Sequence, residues 1–224
     1  DLAVGFPMPI ILALILNELR FPRFKKVTQT ILYLPHFLSW VIVGSVAYQM
    51  FRPTTGMVNV FLMNAGIIQN GIPFLTEKWH WAVTYLLIGV WQGMGWGTII
   101  YLAAILGIDQ EMYEAAEIDG ATRWHKIKCI TLPLLKSTVI TMTLLSIGRI
   151  FYSDFGLFYQ VPMNSGALIN ATNTIDTYVY RGLIELGDIS MSSAACVYQS
   201  LMGFALVMIA NWLTKRYSSE NALF

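Results

Sequence analysis

The sequence predicts an all-helical membrane protein, a bundle of several spans in one domain covering residues 1–224, and three observations carry that prediction. Mean hydropathy is +0.57, and 56% of residues are hydrophobic against 12% charged. A soluble domain carries about 25% charged residues, so this much apolar surface cannot be hidden in one core. Apolar stretches also recur at lengths that suit a hydrocarbon layer of ~30 Å, which takes about 20 helical residues to cross. Finally, Lys and Arg alternate from one connecting loop to the next. Five or six spans fill 224 residues and leave no room for a separate soluble catalytic domain. The net charge of +1 gives no reason to expect a nucleic-acid partner.

Taken in order, the first stretch, about residues 2–16, is short, contains Pro7 and Pro9, and ends at Asn17-Glu18-Leu19-Arg20. The second and third, about 31–51 and 81–106, are each long enough to cross a bilayer at 1.5 Å per residue. The fourth and fifth, about 134–151 and 194–213, sit near the lower limit and need tilt or flanking residues to span. Between them, the stretch from Gly56 to Gly71 reads as an amphipathic helix at the membrane surface. No basic segment precedes the first apolar run, so no signal peptide is visible, and the abrupt start at Asp1 suggests a missing upstream segment.

The basic residues orient the bundle. Arg20, Arg23, Lys25 and Lys26 follow the first span, and Arg123, Lys126 and Lys128 lie in the loop of residues 107–133. Lys215 and Arg216 open the tail. The two loops of the opposite side carry only Arg52 and Lys78, and only Arg181. Cytoplasmic loops hold the excess of Lys and Arg, so the 107–133 loop and the C-terminus are expected in the cytoplasm and Asp1 outside.

The 107–133 loop has its own internal logic. Asp109 is a good N-cap and Glu111 places a carboxylate in the first turn, which predicts a short helix from about 110 to 118. Gly120 can take the left-handed conformation that closes it, and Thr122 can cap a second helix starting at Arg123. Ala115 and Ala116 have almost no side chain and let this backbone approach a partner closely, beside a row formed by Tyr113, Glu117 and Gly120. Pro133 disfavours helical geometry at Leu132 and is expected to start the next span. Without further information the loop could be an ordinary amphipathic connection with a glycine C-cap.

The full pattern narrows that choice. Glu114-Ala115-Ala116, three residues, Gly120, nine residues, then Ile130-Thr131-Leu132-Pro133 resembles the cytoplasmic loop by which permease subunits of binding-protein-dependent ABC importers engage their ATPase. Tyr33-Leu34-Pro35-His36-Phe37-Leu38-Ser39-Trp40 and Ile175-Asp176-Thr177-Tyr178-Val179-Tyr180-Arg181 resemble the sugar and polysaccharide branch of that family. The resemblance implies the ABC importer permease fold, with a sixth, N-terminal span beyond the five visible here. It implies a multi-pass subunit of the bacterial inner membrane that is not itself an enzyme. Its partners would be an ABC ATPase dimer holding ATP and Mg, a second permease subunit, an extracytoplasmic solute-binding protein and the lipid bilayer. The ATPase-docking residues would be Tyr113, Glu114, Ala115, Ala116, Glu117, Asp119, Gly120, Ala121 and Thr122. The cargo would be an oligosaccharide or polysaccharide. A permease of the same fold for peptides or amino acids is the alternative, followed by a membrane-embedded enzyme.

Polar and aromatic groups at membrane depth supply candidates for a substrate pathway: Tyr48, Gln49, Trp91, Gln92, Trp96, Arg149 and Gln199. An unpaired polar group in hydrocarbon is costly and so faces the protein interior or a cavity. Indole faces with an amide suit sugar rings, although Trp91 and Trp96 could equally face lipid. Arg149 could meet an acidic sugar, snorkel, or pair with Asp154. Gly89, Gly93 and Gly97, with Gly95 between, make a bare helix face for close packing. No nucleophile-base-acid arrangement is present, and no cofactor is expected on this chain. His36, His80 and His125 lie on separate segments without ligands at metal-binding spacing. Cys129 and Cys196 are expected to be unpaired and without a metal-like neighbour.

Overall fold

The computed structural model describes residues 4–217. The expectations for Asp1, for the first residues of the 2–16 stretch and for the tail beyond Tyr217 fall outside that range. Within it the chain runs α1 (Pro7–Glu18), α2 (Pro22–Tyr33), a 3-10 turn (Leu34–Phe37), α3 (Trp40–Phe51), α4 (Met57–Asn64) and α5 (Lys78–Leu106). Then follow α6 (Gln110–Ile118), α7 (Arg123–Lys126), a π-turn (Ile127–Thr131) and α8 (Leu132–Gly148). A second π-turn (Gly156–Gln160), a 3-10 turn (Gly166–Leu168), α9 (Ile169–Thr172), α10 (Ile175–Ile184) and α11 (Ile189–Tyr217) complete it. No strand occurs among the described residues.

Among the described residues, three helices are long and apolar enough to cross a membrane: Lys78–Leu106, Arg123–Gly148 and Ile189–Arg216. A fourth crossing results if Pro22–Phe37 and Trp40–Phe51 together count as one broken span. The expected second span, 31–51, is therefore not one helix. Pro35 lacks an N–H to continue the ladder, the chain tightens into the 3-10 turn, and Ser39 starts a new helix by accepting from the Ile42 N–H at 3.4 Å. The first stretch forms only the 12-residue α1, about 18 Å long and shorter than the hydrocarbon layer.

The expected break at Pro133 does not occur. Leu132 is helical (φ −63°, ψ −44°), and its N–H reaches back five residues to the Ile127 carbonyl. That single wide turn absorbs the missing donor and the ring of Pro133, so Arg123–Gly148 runs as one helix of 26 residues. The stretch 152–193 is likewise largely helical rather than an open loop.

Two compact units divide the chain. One contains the residues up to Phe37, Val90–Ile147 and the chain from Val207. Its core sets Ala13 and Leu16 of α1 against Tyr101, Leu102 and Ile105 of α5 and Leu135 of α8. Helices in lipid associate through close packing rather than through the hydrophobic effect, and the glycines of α5 permit it. A Cβ on Gly95 would run into the Leu32 carbonyl oxygen, and one on Gly97 would meet the Pro9 ring at 2.9 Å. Gly93, on the expected glycine row, has nothing within 4 Å. The closest approach thus falls to Gly95, which is off that row.

The other unit contains Leu38–Gly89 and Gly148–Leu206. Val43, Ala47, Trp81, Ile88, Leu157 and Val161 lie in its core. Gly44 of α3 would place a Cβ 2.7 Å from the Gln160 carbonyl oxygen, while Gly156 accommodates the Trp40 ring, so the second π-turn seats directly on α3. Asn59 of α4 is fully buried and binds the Arg52 carbonyl (3.0 Å) and both backbone groups of Ile72 (2.9 Å each). It fastens the expected surface helix, whose Met57 and Phe61 stay exposed.

Candidate functional site: the 107–133 loop

The loop forms helix, turn, helix as its caps dictate. Asp109 accepts from the Glu111 N–H at 3.0 Å and Thr122 from the His125 N–H at 3.3 Å. Between them, Gly120 has φ +79°. Its N–H donates to the Glu117 carbonyl (3.0 Å) and the Ala121 N–H to the Ala116 carbonyl (2.9 Å), the two bonds of a Schellman closure. The glycine is required by that backbone angle alone, because a Cβ there would meet nothing within 4 Å.

Three side-chain contacts brace the loop. The Tyr113 hydroxyl bonds to the Thr131 hydroxyl in the π-turn at 2.9 Å. Lys126 of α7 donates to the Glu117 carboxylate, and that bond, then the Lys126 charge and the nearby Arg123, hold the Glu117 carboxyl below its ordinary range. Arg123 approaches Glu18 at the end of α1 at 4.0 Å. Tyr113 is half-buried, while Glu117 stays exposed as it bonds to Lys126. Glu114 and Ala115 are exposed, and Glu114 forms no ion pair among the described residues. An open cleft of ≈ 470 Å³ beside the closure is lined by Ala116, Asp119, Gly120, Ala121 and Thr122 together with His125.

Two apolar residues that sequence reasoning passed over stand out on this surface. Ile118 is 87% and Trp124 71% exposed, flanking the Gly120 turn. Large apolar side chains on a charged, otherwise polar loop were the available signal, since such a patch asks for a covering partner. The structure also corrects the reading of Cys129, whose Sγ lies 3.5 Å from His125 Nε2, one helical turn away. No cluster of three metal-ligating residues occurs among the described residues.

The pathway candidates divide between the two units, with Trp91, Gln92 and Trp96 in the first and Tyr48, Gln49, Arg149 and Gln199 in the second. In the first unit, Gln92 is buried and its Nε2 donates to the His36 carbonyl at 3.4 Å, a bond freed by the 3-10 turn. Trp96 is half exposed and stacks on His36 (4.7 Å between ring centres, 13° between planes), with Phe37 edge-on at 6.3 Å. Trp91 is exposed on the same helix. In the second unit, Tyr48 is exposed beneath the Arg52 guanidinium (5.4 Å), and Gln49 and Arg149 are exposed. Arg149 does not pair with Asp154, whose carboxylate accepts from the Leu157 N–H at 3.2 Å.

Gln199 sits in a hydrogen-bonded knot. It is buried, and its Nε2 donates to the Phe151 carbonyl (2.9 Å) and to Asp176 (3.1 Å). Asp176 in turn accepts from the Ser153 N–H (2.6 Å) and hydroxyl (2.8 Å), and Ser153 bonds Thr174 at 2.7 Å. This knot ties α11 to the start of α10 and engages the Gln199 amide nitrogen twice.

Comparison with known proteins gives the family and the fold. The family described as binding-protein-dependent transport system inner membrane component matches residues 5–219. The polygalacturonan/rhamnogalacturonan transport system permease protein YteP of Bacillus subtilis (strain 168) is 40% identical over 98% of this chain. The chain spans 67% of that relative's length. A crystal structure of a bacterial ABC transporter involved in the import of the acidic polysaccharide alginate superposes with a TM-score of 0.90 at 34% identity, covering 97% of this chain and 74% of the other. The same kind of transporter in complex with an alginate pentasaccharide-bound periplasmic protein superposes with a TM-score of 0.88 at 34% identity, covering 96% of this chain and 73% of the other.

Proposed function

Because the chain belongs to the family of binding-protein-dependent transport system inner membrane components, we propose that it forms part of the import path for an oligosaccharide, with acidic sugars as the favoured class. The observation that carries this reading is the braced loop, a helix–Gly120–helix unit continuous with a span of 26 residues. An ATPase seated on Ile118, Trp124 and the small residues Ala115 and Ala116 would move the loop. The contacts Tyr113–Thr131, Glu117–Lys126 and Arg123–Glu18 would carry that displacement into α8 and α1, because braced helices move as rigid bodies. ATP hydrolysis would then reside on that partner, with ATP and Mg bound there. A second permease subunit would complete the path, a periplasmic binding protein would deliver cargo, and the loop and C-terminus would face the cytoplasm.

The acidic-sugar reading is supported by the names of two similar proteins, which give polygalacturonan/rhamnogalacturonan and alginate, and by Arg149, exposed just after α8 and without an acidic partner among the described residues. Trp96 on its His36 neighbour offers a ring face of the kind on which sugars stack. The test is uptake into proteoliposomes holding the assembled importer, comparing oligogalacturonate, a neutral oligosaccharide of equal length and a tetrapeptide. Uptake of oligogalacturonate above both others supports the proposal. Preference for the neutral sugar removes the acidic assignment, and preference for the peptide removes the carbohydrate assignment altogether.

A further inference from the structure

The start of α2 concentrates positive charge that no described residue neutralises. Arg20, Arg23, Lys25 and Lys26 crowd the first turn and the residues before it, with no carboxylate in that turn. No acidic residue occurs between Glu18 and Glu77, and Glu18 is itself engaged by Arg123. None of the four cations has an ion-pair or side-chain hydrogen-bond partner among the described residues. They also stand at the wrong end of the helix. An N-terminus carries about half a positive charge and favours anions, and here Phe21 provides no side-chain cap, so the backbone N–H groups add to the same field.

The rest of α2 shows what kind of anion fits. No residue of α2 is buried. At about 100° per residue, Phe24, Val27, Ile31 and Leu34 fall on one face with Arg23 at its edge, while Lys25 leaves the helix on the side of Leu32 and reaches the foot of the stripe only through its long stem. Phe24, Val27, Ile31 and Leu34 are all more than half exposed. The opposite side is anchored, since Gly95 of α5 admits the Leu32 backbone, about 17 Å along α5 from its Leu106 end. The Glu18–Arg123 contact sets the start of α2 beside the 107–133 loop. Helix α2 thus rises from loop level into the hydrocarbon with cations at its foot and an apolar stripe above them. A free phosphate would meet the cations but leave the stripe uncovered.

We propose that Arg20, Arg23, Lys25 and Lys26 form a site for the headgroup of an anionic phospholipid of the loop-side leaflet, with its acyl chains along Phe24, Val27 and Ile31. One Lys or Arg beside an anionic headgroup is worth a factor on the order of five in binding, and the preference is screened by salt. The site is independent of the substrate assigned above.

The experiment places a bimane fluorophore on Phe24→Cys, in a full-length background carrying Cys129→Ser and Cys196→Ala, and reconstitutes the assembled importer in nanodiscs. Quenching is compared for brominated phosphatidylglycerol and brominated phosphatidylcholine. The expected result is a preference for phosphatidylglycerol of about fivefold or more at low salt, falling towards one at high salt. It should also fall towards one in the Arg20→Gln/Arg23→Gln/Lys25→Gln/Lys26→Gln variant. Should that variant fail to insert, the pair Arg23→Gln/Lys25→Gln serves, and about half the preference should remain. Equal quenching by the two lipids at low salt, or a preference untouched by the charge variants, overturns the site. Absence of quenching by either lipid shows protein covering the stripe and overturns it as well.

Discussion

Replacing Gly120 separates a backbone requirement from a contact requirement. The residue sits at φ +79° with open space where a Cβ would point, so a substitution costs only the left-handed conformation. For an L-residue that cost is roughly 1–2 kcal/mol, at or above the upper end for a β-branched side chain and smallest for Asn. The Schellman bonds Gly120–Glu117 and Ala121–Ala116 close only while that conformation holds. A penalty of this size moves the local equilibrium against the closed turn by a factor of about 5–30. Membrane insertion should be unaffected because no packing contact is touched. Substrate-stimulated ATP hydrolysis by the reconstituted importer should fall in the order Gly, Asn, Ala, Val, with Gly120→Val reduced about tenfold or more. Wild-type stimulation in Gly120→Val would refute the assignment of this loop as the coupling element. Loss in Asn equal to that in Val would show instead that bulk against a docked partner, not backbone strain, is what Gly120 avoids.

Three further outcomes are expected. Gln199→Leu should leave the Phe151 carbonyl without its donor and remove a bond from Asp176, lowering stability in detergent by about 1–3 kcal/mol. Thermal unfolding with unchanged midpoint would count against the knot. Trp96→Leu should raise the apparent KM for substrate while leaving assembly intact, and unchanged transport kinetics would return this ring to a lipid-facing role. An impermeant maleimide added outside should label Ser165→Cys in a Cys196→Ala background and spare the exposed Cys129; the reverse pattern would invert the proposed orientation.

Local capping was legible in the sequence because it depends on a few adjacent side chains. Asp109, Gly120 and Thr122 mark α6 and α7 at their observed limits, and each acts through a bond of its own backbone neighbourhood. The break at Leu34–Ser39 was written there too, in Pro35 and Ser39, but hydropathy reads straight across it because the residues on both sides are apolar. Pro133 misled in the opposite direction. Its effect on Leu132 holds for a regular ladder, and a five-residue reach from Leu132 to Ile127 removes the conflict, a solution that no residue type announces. Buried partnerships such as Gln199 with Asp176 and Ser153 join positions far apart in the chain, so an amide at membrane depth cannot declare from its own position whether it faces cargo or a carboxylate.

The position of the π-turn bears on how the loop can drive a span. It lies between α7, which carries the braces to Glu117 and Glu18, and α8, which packs Leu135 into the α1–α5 core. A regular helix with Pro133 at this point would lose a hydrogen bond and kink, and a kink is a hinge that dissipates a displacement applied at α7. Here the helix continues through the wide turn from Arg123 to Gly148, and Thr131, buried inside that turn, also bonds the Tyr113 hydroxyl from α6. The loop's first helix therefore bonds directly to the turn that keeps its second helix and the span continuous. A force on α6 would reach α8 by the Tyr113–Thr131 contact as well as through Gly120, so the coupling would not depend on the glycine turn being stiff, only on its being correctly shaped.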